Sequence, residues 1–226
     1  MLLGKSSNDI DIMVEGDGIA FAKKLATELK VDITVDYNKF GTALIPHPEV
    51  GIEVATARKE NYESNSRKPI VSPTTVEEDM SRRDFTINAI AASILPDSFG
   101  ELYDPFMGIK NLQKGLIITP LDPDDTLSDD PLRMLRAVRF AAQLEYDIAS
   151  TLLDSISRNV KRLEIISWER IRDEIIKSLS TKKPSIAFYH MKDTGLLAHV
   201  FPELDIMSGV DIIDNSEGIV FVYTNY

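Results

Sequence analysis

The sequence predicts an α+β fold in which a domain built on a mixed β-sheet precedes an all-helical domain. Near the N-terminus, apolar side chains alternate along short segments around one amphipathic helix, a pattern typical of strands with one buried face. After a loop rich in proline and aspartate at residues 120–127, apolar residues recur at helical spacing instead. The 226 residues suffice for two domains with separate cores.

The N-terminal half of the first domain is predicted to contain four strands and one helix. The strands are predicted at residues 9–14, 31–36, 40–46 and 51–57, and the helix at residues 18–30. A turn-like segment at residues 47–50 separates the last two strands, which favours antiparallel pairing between them. Residues 58–75 are polar and lack a clear period, so we expect a mobile loop there.

The rest of the chain is predicted to be mainly helical. A helix at residues 77–93 is followed by a short strand and turn at residues 101–108. Further helices are predicted at residues 128–145, 147–158, 167–180, 184–193 and 195–200. Residues 209–226 show weak strand-like runs without an identifiable partner. We place the domains at residues 1–118 and 119–207, followed by a tail at residues 208–226.

Composition excludes several classes of protein. The chain has no cysteine, which rules out disulfides and thiolate zinc sites, and its three scattered histidines argue against a histidine-rich metal site. A net charge of −11 argues against nonspecific wrapping of nucleic acid, so a nucleic-acid partner must meet a local basic patch. No targeting segment and no membrane-length apolar run is present, so we expect a cytoplasmic protein without a membrane partner.

Carboxylates on the first strand indicate a metal site. Because side chains alternate along a strand, Asp9 and Asp11 share one face, and Glu53 presents a third carboxylate from a neighbouring predicted strand. Magnesium prefers oxygen ligands and often bridges carboxylates to substrate phosphates. Two such ions can activate an attacking hydroxyl and neutralise a leaving pyrophosphate. An Asp-x-Asp pair alone is weak evidence for a metal site, since acids at strand edges are common.

A second group of charged residues recurs at every third position of a predicted helix. It consists of Asp130, Arg133, Arg136 and Arg139. One interpretation is a solvated helix face whose arginines pair with nearby acids. The other is a surface that reads a nucleobase and holds its phosphates. Basic residues further along the chain are candidate phosphate contacts or, again, a solvated face: Arg158, Lys161, Arg162, Arg170 and Arg172.

Four segments in order resemble the tRNA nucleotidyltransferases that add CCA, with the related bacterial poly(A) polymerases, in the branch called class II. They are GKSSNDIDIMVEGD, RRDFTINAIA, DPFMGIKNLQKG and DDPLRMLRAVRFAAQL, with a weaker fifth in SWERIRDEIIKSL. The likeness spans roughly residues 4 to 180. It implies a nucleotidyltransferase-type head domain followed by a helical neck and body.

The resemblance assigns roles residue by residue. It implies that Asp9 and Asp11 bind catalytic Mg²⁺ and that Glu53 is a third catalytic carboxylate. Arg83, in the Arg-Arg-Asp motif, would contact the nucleotide. Asp130 and Arg133 would form a base-reading pair. The nucleotide pocket would be completed from the same helix by Arg136 and Arg139.

The chemistry of such a base-reading pair follows from the bases themselves. Cytosine and adenine both present an amino donor beside a ring-nitrogen acceptor, whereas uracil and guanine present a carbonyl beside an N–H. A carboxylate next to a guanidinium therefore matches C and A and opposes U and G. Selection without a nucleic-acid template becomes possible, because a wrong base leaves buried polar groups unpaired.

The function implied by the resemblance is addition of CMP and AMP from CTP and ATP to the 3′ end of tRNA, with release of pyrophosphate. Addition of A only, of CC only, or of a poly(A) tail are the alternatives within this class. Relatives carry a Gly-Gly-x-Val-Arg segment about ten residues before the Asp-x-Asp pair that cradles the triphosphate. Because the sequence starts at Met1-Leu2-Leu3-Gly4, we expect a chain truncated at both ends. A non-catalytic remnant that binds RNA or nucleotide is the alternative from another class.

Overall fold

The computed structural model describes residues 2–4, 9–31, 35–37, 41–61, 70–207, 211–215 and 218–222. The chain divides into two compact units, an N-terminal unit at Met1–Arg82 and a C-terminal unit at Arg83–Tyr226. The domain limits expected from the sequence, which place a boundary after residue 118, stay a prediction. Within the described ranges, no helix is long and apolar enough to cross a membrane.

The N-terminal unit contains a four-stranded mixed sheet in the order β1-β4-β3-β2. Its elements are β1 (Asp9–Val14), α1 (Gly18–Leu29), β2 (Val35–Tyr37), β3 (Thr42–Pro46) and β4 (Gly51–Thr56). β1 is parallel to β4, whereas β3 is antiparallel to both β2 and β4. The mixed sheet and the antiparallel pairing of the last two predicted strands are therefore confirmed.

Helix α1 is fixed against the end of β4 by a close backbone approach. Asp17 caps the helix, since its Oδ1 accepts a hydrogen bond from the Ala20 N–H at 2.9 Å. The Gly18 N–H donates to Thr56 Oγ1 at 3.1 Å. A Cβ at Gly18 would lie 2.8 Å from that oxygen, so only glycine allows this contact. Ala22 and Ala26 then pack on the sheet residues Ile45 and Val54.

The prediction of a mobile loop at residues 58–75 is partly wrong. Its two ends form the antiparallel strands β5 (Arg58–Asn61) and β6 (Ile70–Pro73), and residues 62–69 lie outside the described residues. The helix predicted at residues 77–93 is also too long. Helix α2 (Val76–Ser81) ends early, and a 3-10 turn occupies Thr86–Asn88.

Helix α2 ends early because the side chain of Asp84 forms hydrogen bonds in the residues that follow it, including one to the backbone. Asp84 Oδ1 accepts from the N–H of Phe85 at 2.9 Å and from Asn88 Nδ2 at 3.0 Å. Aspartate and asparagine side chains that bond to nearby backbone favour turns over helix. Arg82, Arg83 and Asp84 therefore lie outside any helix.

The C-terminal unit begins with short strands and continues as helices. Its elements are β7 (Ala91–Ala92), β8 (Leu102–Tyr103), α3 (Gly108–Lys114), β9 (Leu116–Ile117), α4 (Pro123–Asp129), α5 (Arg133–Leu144), β10 (Asp147–Ile148), α6 (Ser150–Asn159), α7 (Trp168–Leu179), α8 (Pro184–Asp193), α9 (Leu196–Val200) and α10 (Pro202–Asp205). The helices predicted at 167–180, 184–193 and 195–200 are confirmed. The helix predicted at residues 147–158 is confirmed except at its start, where β10 precedes α6.

The loop predicted at residues 120–127 is wrong from Pro123 onward, and the single helix predicted at residues 128–145 is confirmed only from Arg133 onward. Asp122 caps a helix that starts at Pro123, through a 2.8 Å bond to the N–H of Asp124, so α4 occupies much of that loop. A proline disfavours helical conformation in the residue before it. Asp130, which precedes Pro131, accordingly adopts φ −141° and ψ 99°, and α5 begins only at Arg133.

Helix α5 supplies the centre of the core of the C-terminal unit. Its residues Met134, Leu135, Val138 and Ala141 are fully buried and belong to one cluster with side chains of α6 to α9. In the tail, the weak strand-like runs pair with each other as the antiparallel strands β11 (Asp211–Asn215) and β12 (Gly218–Val222). The partner that the sequence did not identify is thus the neighbouring run.

Helices α4 and α6 are tied together through one carboxylate, and this contact should make stability depend on acid pH. Asp124 Oδ1 accepts from Ser155 Oγ at 2.5 Å and from Asn159 Nδ2 at 2.7 Å, and Oδ2 accepts from Arg158 Nη2 at 2.7 Å. The Ser155 hydroxyl, together with Arg158 and Asn159, lowers the pKa of Asp124 below its ordinary value.

Because the folded-state pKa is lowered, the stabilisation is present above the unfolded pKa of about 4 and is lost as the pH falls through the folded pKa. We therefore expect Asp124→Asn to lower the urea midpoint at pH 7, and the difference from the unaltered chain to shrink below about pH 4. Urea titrations at pH 7, 4 and 3 measure this. Asp97→Asn, at an exposed position, is the control, and a pH-independent difference would refute the assignment.

Candidate functional site

In the N-terminal unit, the register of the sheet brings the predicted carboxylates together. Asp11 is the partner of Glu53 across the parallel β1–β4 ladder, and Asp9 lies opposite Gly51. Adjacent strands are about 4.8 Å apart, so Asp11 and Glu53 are direct neighbours. All three acids are exposed, whereas Ile52 and Val54 point into the core. The expectation that they share one face is confirmed by this register.

These carboxylates suit a hard divalent cation by their chemistry. In the described part of the chain, Asp11 and Glu53 have no side-chain ion pair, so two like charges stand side by side on one face. Such a pair is unfavourable alone and gains from a shared cation. Among the described residues, no three His, Cys, Asp or Glu side chains are already arranged around a metal position. The residue types fit Mg²⁺.

In the C-terminal unit, the row of charged residues does not form one even stripe. Asp130 lies before α5 rather than on it, so the expectation of a single helix for all four is wrong. Along α5, a step of three residues turns about 300°, and the row drifts by about 60° per step. Arg133 and Arg136 are half-buried, but Arg139 has reached the buried side and is 8% exposed.

Arg136 is held by the aspartate of the Arg-Arg-Asp motif. Its Nε and Nη2 lie 2.7 and 2.6 Å from Oδ2 of Asp84. The other oxygen of Asp84 is taken by the Phe85 N–H and Asn88. Asp84 is thus a buried anchor for Arg136. Its neighbour Arg83 is exposed and donates from Nη1 to the Asn88 carbonyl at 3.2 Å.

Arg139 is paired with a buried acid, Glu174, that was not among the residues predicted from the sequence. Arg139 Nε donates to Glu174 Oε2 at 2.6 Å, and Nη1 donates to Gln143 Oε1 at 2.7 Å. The Glu174 side chain is only 4% exposed. The sequence does indicate that Glu174 is buried, because it lies on the same apolar face of α7 as Ile171, Ile175 and Ser178. An acid on such a face requires a buried partner.

The two predicted base readers are held by other groups. Asp130 Oδ1 accepts from the Leu132 N–H at 3.1 Å, and Oδ2 accepts from Arg170 Nη2 at 2.8 Å. Arg133 Nη1 donates to the carbonyl of Thr126 at 3.0 Å. Both side chains therefore have defined orientations at the junction of α4 and α5.

Three of the candidate phosphate contacts are likewise bound to other groups of the protein. Arg158 binds Asp124, Arg162 Nη2 donates to the Ser128 carbonyl at 2.9 Å, and Arg170 binds Asp130. These three side chains hold α4 and the residue after it. Arg172 is exposed and pairs with its neighbour Asp173 at 3.1 Å, as expected for a solvated helix face.

Comparison with known proteins supports the motif-based resemblance. Residues 1–118 match the family model of the poly A polymerase head domain, and residues 145–207 match one described as the probable RNA and SrmB-binding site of polymerase A. The chain is 34% identical over 207 residues to the A-adding tRNA nucleotidyltransferase of Geobacter sulfurreducens, covering 90% of this chain and 23% of that protein. It is 34% identical over 199 residues to the CCA-adding enzyme of Ligilactobacillus salivarius, covering 86% of this chain and 46% of that protein.

Solved structures agree with the fold. A CCA-adding enzyme in apo form II superimposes with a TM-score of 0.79 at 36% identity, over 89% of this chain and 48% of that one. A tRNA nucleotidyltransferase complexed with a primer tRNA and an incoming ATP analog gives a TM-score of 0.77 at 30% identity, over 96% of this chain and 58% of that one. The chain spans less than half the length of the two curated relatives. With its head-domain match and these relatives, the chain belongs to the poly A polymerase head domain family, together with the CCA-adding and A-adding tRNA nucleotidyltransferases.

Proposed function

We propose that this chain carries out template-independent nucleotidyl transfer, adding CMP and AMP from CTP and ATP to the 3′ end of tRNA with release of pyrophosphate. The observation that carries the proposal is the pairing of Asp11 with Glu53 on the exposed face of the β1–β4 ladder, with Asp9 two residues away. Relatives named as A-adding and CCA-adding enzymes support the same reaction. Solved relatives were captured with CTP and with tRNA.

Asp9 and Asp11 would hold Mg²⁺, and Glu53 would add a third carboxylate. A Mg²⁺ ion bound there would activate the 3′-hydroxyl of the tRNA and neutralise charge on the departing pyrophosphate. The protein's own part is to fix its carboxylates on adjacent parallel strands, whose hydrogen bonding keeps the Asp11 and Glu53 backbones in register. Rigid strands hold such groups more precisely than loops do.

Nucleotide binding is assigned to the C-terminal unit. Arg83 is exposed and Arg136 is one-third exposed, so their guanidinium groups can bind phosphate or ribose oxygens. Asp130 and Arg133 are proposed to read cytosine and adenine. Arg139, buried against Glu174, would support the pocket by fixing α5 to α7 rather than by touching the nucleotide.

A primer-extension assay tests the proposal and separates the alternatives within the class. Radiolabelled CTP or ATP is supplied singly to tRNAs that end before the first C, after C, after CC and after CCA. Full activity predicts incorporation of C on the first two tRNAs and of A on the third. Incorporation of A alone would identify an A-adding enzyme, incorporation of C alone a CC-adding enzyme, and extension beyond CCA with ATP a poly(A) polymerase. Incorporation of UTP or GTP at comparable rates would contradict base selection.

Removing one base reader is expected to relax selection. Arg133→Ala should reduce the preference for CTP over UTP by about 10- to 100-fold, because a bidentate pair to a base contributes about 1–3 kcal/mol of discrimination. Asp130→Ala should act in the same direction. Arg172→Ala, which removes an exposed arginine of α7, is the control and should leave discrimination unchanged. If both variants of the pair keep the parental CTP to UTP ratio, the base-reading assignment is refuted.

A non-catalytic remnant that binds RNA or nucleotide remains the alternative from another class. It predicts that the folded chain binds labelled ATP or a tRNA minihelix but transfers no nucleotide under any of the assay conditions. A cytoplasmic location, expected from the sequence, stays a prediction.

A further inference from the structure

Phe140 lies beside the guanidinium groups of two arginines of α5. The Cζ atoms of Arg139 and Arg136 are 4.0 and 5.5 Å from the centre of its ring. Phe85 meets the same ring edge to face, with centroids 5.7 Å apart and planes at 82°. A guanidinium within about 6 Å of an aromatic face is attracted by the ring. Of the three arginines of α5, Phe140 therefore contacts Arg136 and Arg139.

The two arginines have different freedom to bind a ligand. Arg139 is buried, with Nε bound to Glu174 and Nη1 bound to Gln143. The Arg136 side chain is 33% exposed, and its Nη1 lies 3.9 Å from Glu174 Oε1, beyond hydrogen-bond distance. Among the described residues, Nη1 of Arg136 therefore makes only this long ion pair with Glu174 and no hydrogen bond, so its N–H groups can donate to an added anionic group.

The ion pair with Asp84 does not by itself fix the plane of the Arg136 guanidinium. Nε and Nη2 both contact the same oxygen, Oδ2 of Asp84, so the planar group can pivot about that atom. Asp84 itself is rigid, since its other oxygen is bound by Phe85 N–H and Asn88. Asp84 therefore fixes the position of the guanidinium, and the Phe140 ring, 5.5 Å from its Cζ, is a second contact that can limit this pivoting.

We propose that Phe140 is a positioning residue that, together with Asp84, aims Nη1 of Arg136 at the phosphate oxygens of an incoming nucleoside triphosphate. This rests on the proposed function. In this arrangement, the aspartate of the Arg-Arg-Asp motif orients Arg136 of α5.

The test compares Phe140→Leu, which keeps an apolar side chain without the ring, with Phe140→Tyr, which keeps the ring. Dissociation constants for CTP and ATP are measured by calorimetry, and kcat and KM by primer extension. Phe140→Leu should raise Kd and KM by about 2- to 5-fold, with kcat within about 2-fold of the parent, and Phe140→Tyr should restore the parental values. In an Arg136→Ala background, Phe140→Leu should have no further effect on Kd.

A purely structural role would instead lower the melting temperature without a change in Kd that depends on Arg136. If Phe140→Leu and Arg136→Ala have multiplicative effects on Kd, or if Phe140→Tyr binds as weakly as Phe140→Leu, the inference is overturned while transfer by the unaltered chain leaves the proposed function standing. An unaltered chain that neither binds nor transfers nucleotides overturns both. If Phe140→Leu melts below the assay temperature, Phe140→Met replaces it in the same comparison.

Discussion

Replacing Asp11 by asparagine is expected to lower the rate of nucleotidyl transfer by about 10²- to 10³-fold, equivalent to about 3–4 kcal/mol of lost transition-state stabilisation. Asparagine keeps the shape of the side chain but removes the charge that would hold a divalent cation. The fold should not suffer, because the change also removes the repulsion between Asp11 and its register partner Glu53. Single-turnover primer extension and a thermal melt of the same preparation measure the two effects.

Glu28→Gln provides the matched control for Asp11→Asn. Glu28 is an exposed acid of α1 in the same unit, so its neutralisation changes the net charge equally but lies outside the carboxylate group. Transfer by this variant should stay within about 2-fold of the parent. An Asp11→Asn variant that transfers nucleotide within about 3-fold of the parental rate would refute the proposed catalytic role of Asp11.

The largest effect on stability is expected for Glu174→Ala. The change leaves the Arg139 guanidinium, whose side chain is 10% exposed, without its carboxylate partner. Removing one member of a buried ion pair typically costs about 3–5 kcal/mol, because the remaining charge stays buried and uncompensated. Urea unfolding followed by circular dichroism should therefore show a much lower midpoint for the transition of the C-terminal unit.

Two further variants separate this charge effect from loss of packing. Glu169→Ala removes an exposed acid of the same helix and should change the free energy of unfolding by less than about 0.5 kcal/mol. The double variant Arg139→Met, Glu174→Leu should recover part of the loss, since a well-packed apolar pair can replace a buried ion pair. A loss below about 1 kcal/mol for Glu174→Ala would show that the pair does not stabilise α5 against α7.

Elements with a strong local period were predictable from the sequence. The alternation in β1 and β4 and the apolar spacing in α8 gave their positions to within a residue, because burial of one face dictates which positions are apolar. Elements decided by single contacts were not. The break between α4 and α5 depends on Pro131, which the pattern also allows in a first helical turn, and the early end of α2 precedes the turn around Asp84.

The same division holds for the candidate site. Alternation alone placed Asp9 and Asp11 on one face, but the pairing of Asp11 with Glu53 required the strand order, in which β4 rather than β2 lies next to β1. The regular spacing of the arginines on α5 could be recognised in the sequence. Their drift toward the core, and the acids Asp84 and Glu174 that receive Arg136 and Arg139, follow from tertiary packing that spacing along one helix does not encode.

The most direct test of the central claim is transfer by the unaltered chain of label from CTP to a tRNA that lacks its terminal CCA, with Mg²⁺ and with EDTA. Carboxylate-held magnesium chemistry predicts tRNA extended by C with Mg²⁺ and no product with EDTA, and restored product when Mg²⁺ is added back in excess. Equal product in EDTA, or no product from a folded chain in Mg²⁺, would contradict it.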